Sequence, residues 1–209
     1  MSLILDGTTG VPVTTVTGTL PVANGGTGVT TSTGTGATVR GTSPSISGAV
    51  MSTMASSVLT SATAQNSTSG TSIDFTGIPS WVKRITVMLV GVSTNGTSNI
   101  QIQIGSGSVT TSGYLGSAVV TGTGVANNST GFLTSSGGAA VDIRHGIAII
   151  NLITTNTYVM TYVGGYSNVA VIAHAGGSLG LGGTLDRVRI TTVNGTDTFD
   201  AGSINIMYE

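Results

Sequence analysis

The run VKRITVMLVGVSTNGTSNIQIQIG, Val82 to Gly105, contains two stretches of alternating residues. In the first, Lys83, Ile85, Val87, Leu89 and Gly91 share one face, apolar after Lys83, and Val82, Arg84, Thr86, Met88 and Val90 share the other. In the second, Ile100, Ile102 and Ile104 point one way and Gln101 and Gln103 the other. A repeat of two is the side-chain period of an extended strand, so both stretches read as β-strands with their isoleucines turned inward. Asn95-Gly96 lies between them, and that dipeptide predicts a hairpin joining the two. Working outward, further strands are read over 114–121, 141–152, 157–166, 169–174, 185–193 and 203–208. In the last, Ile204 and Ile206 are expected inward and Asn205 outward. A second Asn-Gly pair, Asn194-Gly195, follows the penultimate run. No stretch combines helical periodicity with caps. Roughly eight short strands with Gly, Asn and Ser turns predict an all-β fold, a β-sandwich or jelly roll.

Composition narrows the class. Charged residues make up 6% of the chain, against about 25% in ordinary domains, and Thr, Ser and glycine take their place. Disorder goes with high net charge and few β-branched residues. Here the net charge is -1 and Thr, Val and Ile are abundant, which favours extended structure. No apolar run approaches the ~18 residues of a membrane helix, so membrane insertion is not expected. The opening MSLILDGTTG has neither the basic region nor the long apolar region of a secretion signal, and export by that route is not expected. With no cysteine there is no disulfide framework and no thiolate metal site. Six basic residues, scattered and offset by seven acidic ones, form no footprint for nucleic acid.

The composition shifts along the chain. Before residue 74 the only charges are Asp6 and Arg40, and there is no aromatic residue. A boundary is placed between Ser52 and Thr71, giving an N-terminal region over 1–55, a junction over 56–71 and a head over 72–209. Pro12, Pro21 and Pro44 forbid helix interiors and central strands in the first region. Gly25, Gly26 and Gly28 mark tight turns or close backbone approach. Two readings of this region remain open: a flexible linker, or a thin fibre in which identical chains wrap together around a Thr- and Val-lined interior. Ala49 to Gln65, with Met51 and Met54 three apart, fits either one helical turn or a plain junction.

LPVANGGTG (Leu20 to Gly28) followed by GTGATVRGTSPSISGAV (Gly34 to Val50) resembles the repeats of bacteriophage tail fibres and related prophage tail proteins. Ser72 to Gly105 and Gly183 to Glu209 are similar to a C-terminal module of such fibres, and MSLILDGTTGV resembles the start of short tail proteins. These stretches cover just under half the chain; the middle, from Ser106 up to Gly183, resembles the family least. The resemblance implies a homotrimer, with a thin intertwined shaft over 1–55 joined to other tail or baseplate proteins and a β-sandwich, jelly-roll-like head over 72–209. Such a protein belongs to the virion and is made in the host cytoplasm. Its expected role is receptor binding, attaching the virion to a host surface glycan or outer-membrane receptor, with three subunits adding avidity. The alternatives are a tailspike-like polysaccharide depolymerase and a purely structural connector.

Catalysis has little to work with. Glycoside hydrolysis needs two carboxylates about 5–9.5 Å apart. The acids are Asp6, Asp74, Asp142, Asp186, Asp197, Asp200 and Glu209. Surface pairing accounts for Asp74 and for Asp186, which adjoins Arg187. Asp197 and Asp200 in NGTDTFDAG read as turn residues before they read as a catalytic or calcium pair. His145 and His174 lack metal-ligand spacing and read as polar contacts, although a threefold axis could gather three copies of one of them. No GxSxG elbow and no phosphate loop is present. The chain is therefore expected to be no enzyme, with no cofactor and no metal.

Binding features are more prominent. Tyr158, Tyr162 and Tyr166 recur every four residues and so share one strand face, either as core packing or as a sugar-stacking platform. Trp81, after Pro79, is read as the anchor at the entry to the first long strand. Tyr114, Asn127, Asn128, Tyr166 and Asn168 fall in or beside expected loops, where recognition concentrates, and are the receptor-binding candidates.

Overall fold

The computed structural model describes residues 59–209. The expected shaft over 1–55, and Met51 and Met54 with it, lie outside the described residues. In chain order the strands are β1 (Thr60–Ser61), β2 (Gln65–Asn66), β3 (Ser72–Thr76), β4 (Arg84–Thr94), β5 (Ile100–Ser106), β6 (Ser108–Val109) and β7 (Leu115–Val120). There follow β8 (Ala126–Asn127), β9 (Phe132–Leu133), β10 (Arg144–Thr154), β11 (Thr157–Tyr166), β12 (Ile172–Gly180), β13 (Arg187–Thr192) and β14 (Phe199–Tyr208). They form an all-β domain of two antiparallel sheets. The larger has nine strands in the order β1-β14-β4-β10-β11-β12-β7-β8, with β2 also on β14. The smaller has five, in the order β3-β13-β5-β6, with β9 also on β5.

The alternation in Val82 to Gly105 builds the centre of both sheets. Ile85, Val87 and Leu89 of β4 and all three isoleucines of β5 are buried in one apolar cluster. Ile204 and Ile206 of β14 and Val188 and Ile190 of β13 join it. Each fully buried side chain of this size contributes about 1.5–3 kcal/mol. Trp81 packs beside Tyr208 with ring centroids 6.0 Å apart, at the point where the chain enters β4. Gly146 and Gly164 face each other across β10 and β11. A side chain at either would collide with the Tyr162 ring, so the two glycines make room for a buried aromatic in mid-sheet.

Two expectations are corrected. Asn95-Gly96 closes no hairpin: β4 lies in the larger sheet and β5 in the smaller. The connection crosses between sheets, as does the one through Asn194-Gly195 from β13 to β14. The two crossovers lock together. Asn95 donates its amide to Thr198 O at 2.9 Å, Asn95 Oδ1 accepts the Thr198 amide at 2.9 Å, and Asp197 Oδ2 accepts the Ser98 amide at 2.9 Å. A Cβ at Gly96 would meet the Asp197 carboxylate and displace it from the Ser98 amide. Secondly, residues assigned to the junction belong to the larger sheet, since β1 and β2 pair with β14. Gln101 and Gln103 point away from the core, as read from the alternation, and are nevertheless buried, covered by the 128–134 segment.

Candidate functional site

The smaller sheet turns its inward positions to the core and presents a polar outer face. Strand register aligns Asp74 of β3, Arg189 of β13 and Gln103 of β5 in one row, and Ser72, Thr191 and Gln101 in the next. The period of two that hides Ile73, Ile190 and Ile102 therefore places a carboxylate, a guanidinium, two amides and two hydroxyls on the other side, where Asp74 and Arg189 are partly exposed and Gln101, Gln103 and Thr191 are buried. A cleft of about 320 Å³ opens over this face, bounded by Thr71, Ser72, Gln101, Gln103, Thr130, Arg189 and Thr191 and by the Asn194-Gly195 turn.

The polar groups are held in fixed directions. Arg189 Nε and Nη2 donate to Asp74 Oδ1 and Oδ2 at 2.7 and 3.2 Å. A guanidinium carries five donors, so this fork leaves others for a ligand. Asp74 Oδ2 also accepts from Ser72 Oγ at 3.1 Å. Gln103 Nε2 donates to Thr130 O at 2.8 Å. Gln101 Oε1 accepts from Asn128 Nδ2 at 2.6 Å and Thr130 Oγ1 at 2.9 Å, and Thr191 Oγ1 donates to Thr71 O at 2.7 Å. The result is a fixed hydrogen-bonded network with one cation, in which Arg189 keeps donors free toward the cleft.

The carboxylates nearby are engaged. Asp186 pairs with Arg187 at 2.8 Å, and that partner, above all, holds its carboxyl below the usual range. Asp197 accepts from Asn194 Nδ2 at 2.6 Å and from the Ser98 amide, and these two bonds lower its pKa in that order. Asp197 thus sits in a turn network, as the sequence suggested. Among the described residues no three His, Asp or Glu side chains converge as a metal cluster. His145 Nδ1 accepts the Gly91 amide at 3.2 Å and its Nε2 lies 3.2 Å from Ser167 Oγ, a polar contact at a strand end.

The receptor-binding candidates fall into two groups. Tyr114, Asn127 and Asn128 border one open groove beside β7. Tyr166 and Asn168 lie at the turn between β11 and β12. Tyr114 is 2% exposed, and its ring meets Phe132 edge-on at 4.7 Å. Its hydroxyl accepts the Ile104 amide at 2.8 Å and lies 3.0 Å from Thr110 O. Burial corrects the expectation that Tyr114 is available to a receptor. Asn127 is exposed. Asn128 is half-buried and supports Gln101 and, at 3.2 Å, Gly131 O. Tyr166 is half-buried: its hydroxyl donates to Gly137 O at 3.2 Å and its ring lies 5.1 Å from the Arg144 guanidinium. Asn168 is exposed and its Oδ1 accepts the Ile143 amide at 2.9 Å. Tyr158 and Tyr162 do share a face, and that face is the core. Burial foremost pushes the Tyr162 phenol up to about 12.

Sequence reading missed Gln101, Gln103, Arg189 and Thr191 as a site. Their outward direction was legible in NIQIQIG and DRVRITT; that β5 and β13 are neighbours was not. No protein-family model, curated protein or solved structure matches the chain.

Proposed function

We propose that this chain is the receptor-binding component of a bacteriophage tail fibre, and that its head attaches the virion to a host surface glycan without cleaving it. In this reading the chain is a homotrimer. Residues 1–55 form the fibrous shaft and meet other tail proteins, and the two sheets with their shared core are a β-sandwich, jelly-roll-like head. The sequence resemblance supports the tail-fibre assignment. The observation that carries glycan binding is the cleft on the smaller sheet, where the partly exposed Arg189 keeps guanidinium donors free above a floor of buried, hydrogen-bonded Gln101, Gln103 and Thr191. Sugars are recognised by such fixed hydrogen bonds, each worth about 0.5–1.5 kcal/mol net, or about 1.5–3 to a charged group. Three weak sites on one trimer give firm attachment through avidity.

The test is adsorption of fluorescently labelled full-length protein to a panel of bacterial strains, with polysaccharide extracted from the binding strains as competitor. Saturable binding that the polysaccharide competes away, with no release of reducing ends, is expected. Adsorption indifferent to the polysaccharide would place the receptor elsewhere, and steady release of reducing ends would make the protein a depolymerase.

A further inference from the structure

The dipeptide Asn-Gly occurs three times in the chain, at Asn24-Gly25, Asn95-Gly96 and Asn194-Gly195. The first lies outside the described residues. The other two stand in the crossovers from β4 to β5 and from β13 to β14, and both asparagines are exposed to water. Asn-Gly is chemically fragile because glycine has no Cβ to hinder its backbone nitrogen. That nitrogen can attack Cγ of the asparagine before it. The fold treats the two pairs differently. Asn194 is clamped: its Nδ2 donates to Asp197 Oδ1 at 2.6 Å, and its Oδ1 accepts from Thr192 Oγ1 at 2.8 Å and from the amides of Thr196 and Asp197 at 3.0 and 3.2 Å. The Gly195 nitrogen donates to Thr192 O at 3.1 Å. At Asn95 the side-chain oxygen accepts the Thr198 amide at 2.9 Å. Among the described residues, neither Asn95 Nδ2 nor the Gly96 amide donates a hydrogen bond. Both carbonyl oxygens have donors on them, so the difference lies in the nitrogens. The attacking and the leaving nitrogen are tied at Asn194-Gly195 and untied at Asn95-Gly96.

From this we infer that Asn95 is a site of spontaneous covalent modification in the folded protein, and that the fold protects Asn194 from the same reaction. The Gly96 nitrogen loses its proton to water and bonds to Asn95 Cγ. The Cγ–Nδ2 bond breaks, Nδ2 takes up a proton from water and leaves as ammonia, and a succinimide ring remains. The Thr198 amide, already on Asn95 Oδ1, meets the negative charge that gathers on that oxygen during attack. A second water opens the ring at either carbonyl and leaves aspartate or isoaspartate at position 95. Water is the only co-reactant. The product sits at a joint of the fold. Asn95 exchanges two hydrogen bonds of 2.9 Å with Thr198, and the Asp197 carboxylate packs against Gly96 where a Cβ would stand. Asn194 and the Ser98 amide keep that carboxylate ionised. A carboxylate at position 95 brings a second negative charge toward it, and isoaspartate also lengthens the main chain by one carbon. Both products loosen the lock between the crossovers, so the head ages at one defined joint.

The experiment uses full-length protein, held folded in mildly alkaline buffer, sampled over weeks, digested with trypsin and read by tandem mass spectrometry. Cleavage after Arg40, Arg84, Arg144 and Arg189 puts the three Asn-Gly pairs on separate peptides, 1–40, 85–144 and 190–209. A gain of one mass unit is expected at Asn95 at least about tenfold faster than at Asn194, the factor that one or two hydrogen bonds carry. In concentrated urea the two rates should converge, because the clamp on Asn194 belongs to the fold. An Asn95 that stays intact in the folded protein, or an Asn194 modified as fast as Asn95, overturns the inference. Asn95→Asp installs the charge without lengthening the chain. It should lower the thermal midpoint at neutral pH, and added salt should restore part of the loss by screening the two carboxylates. A wild-type midpoint in this variant overturns the loosening of the joint. None of these readouts depends on what the cleft binds.

Discussion

Asp74 and Arg189 stand opposite each other on β3 and β13, 115 residues apart in the chain, and meet through two hydrogen bonds of 2.7 and 3.2 Å. Both side chains are more than a third exposed, so solvent screens the pair and its contribution to stability is within about 1 kcal/mol. Its importance lies in aim: the carboxylate fixes the plane of a guanidinium at the mouth of the cleft. A double-mutant cycle with Asp74→Ala and Arg189→Ala, followed by urea unfolding, should give a coupling under about 1 kcal/mol. A coupling of several kcal/mol would mean that the pair serves the fold and not a ligand.

Asp142 and Arg144 form the contrasting pair. Their 3.0 Å contact is buried, with the Arg144 side chain 1% exposed. Asp142 also receives the Ala139 amide at 2.7 Å. Asp142→Ala leaves a buried guanidinium with no counter-ion, and a loss of about 3–5 kcal/mol is expected from the shift in urea midpoint. A shift equivalent to less than 1 kcal/mol would contradict this assignment.

The acid limb of stability should follow Asp186 and Asp197. Both carboxyls are held below their ordinary value of 3.8 in the folded protein. The folded state therefore binds these protons less readily than the unfolded chain. Their contribution is present above about pH 4 and is lost as pH falls through the folded pKa values. Asp197→Ala should flatten the decline in thermal midpoint below that pH, measured by circular dichroism from pH 6 to pH 2. An unchanged acid limb would exclude Asp197 from the linkage. Tyr162 works in the opposite direction. Its phenol, pushed up to about 12, resists ionising while folded, so its share of stability is intact below about pH 10 and is lost as pH rises beyond it.

Tyr114→Phe separates structure from recognition. The substitution strips the Ile104 amide and Thr110 carbonyl of their hydroxyl partner, and leaving a buried donor unmet costs about 1–3 kcal/mol. Urea unfolding should register that loss while adsorption to cells stays at the wild-type level. Weaker adsorption with unchanged stability would return Tyr114 to the receptor site.

Alternation made the strands legible, and pairing stayed hidden. NIQIQIG fixed which residues of β5 face the core because Ile and Gln differ sharply in the cost of burial. TYVMTYVGGY marked β11 from Thr157 to Tyr166 for the same reason. Ile172–Gly180 was caught only at its start: AHAGGSLG lacks the large side chains that carry the signal, and its extended form depends on β11 and β7 either side. Asn95-Gly96 marked the break between two strands, but the hairpin read from it does not form, because a local signal does not say whether the chain returns to the same sheet or crosses to the other. The cleft needed that knowledge. Gln103 and Arg189 are 86 positions apart in the numbering, and only the β5–β13 register brings them side by side.

The most direct test of the account is calorimetric titration of full-length protein with polysaccharide from the surface of a strain to which it adsorbs, comparing wild type with Arg189→Ala and Gln103→Ala. Loss of a hydrogen bond to a charged group, about 1.5–3 kcal/mol, corresponds to at least a tenfold rise in Kd for Arg189→Ala, and a smaller rise is expected for Gln103→Ala. Arg189→Ala should keep the wild-type thermal midpoint to within a few degrees, whereas Gln103→Ala also removes a buried side chain and its bond to Thr130 O and should lower it. Wild-type affinity in both variants, or no heat of binding for the wild type itself, would contradict the claim that this cleft is where the protein holds its host.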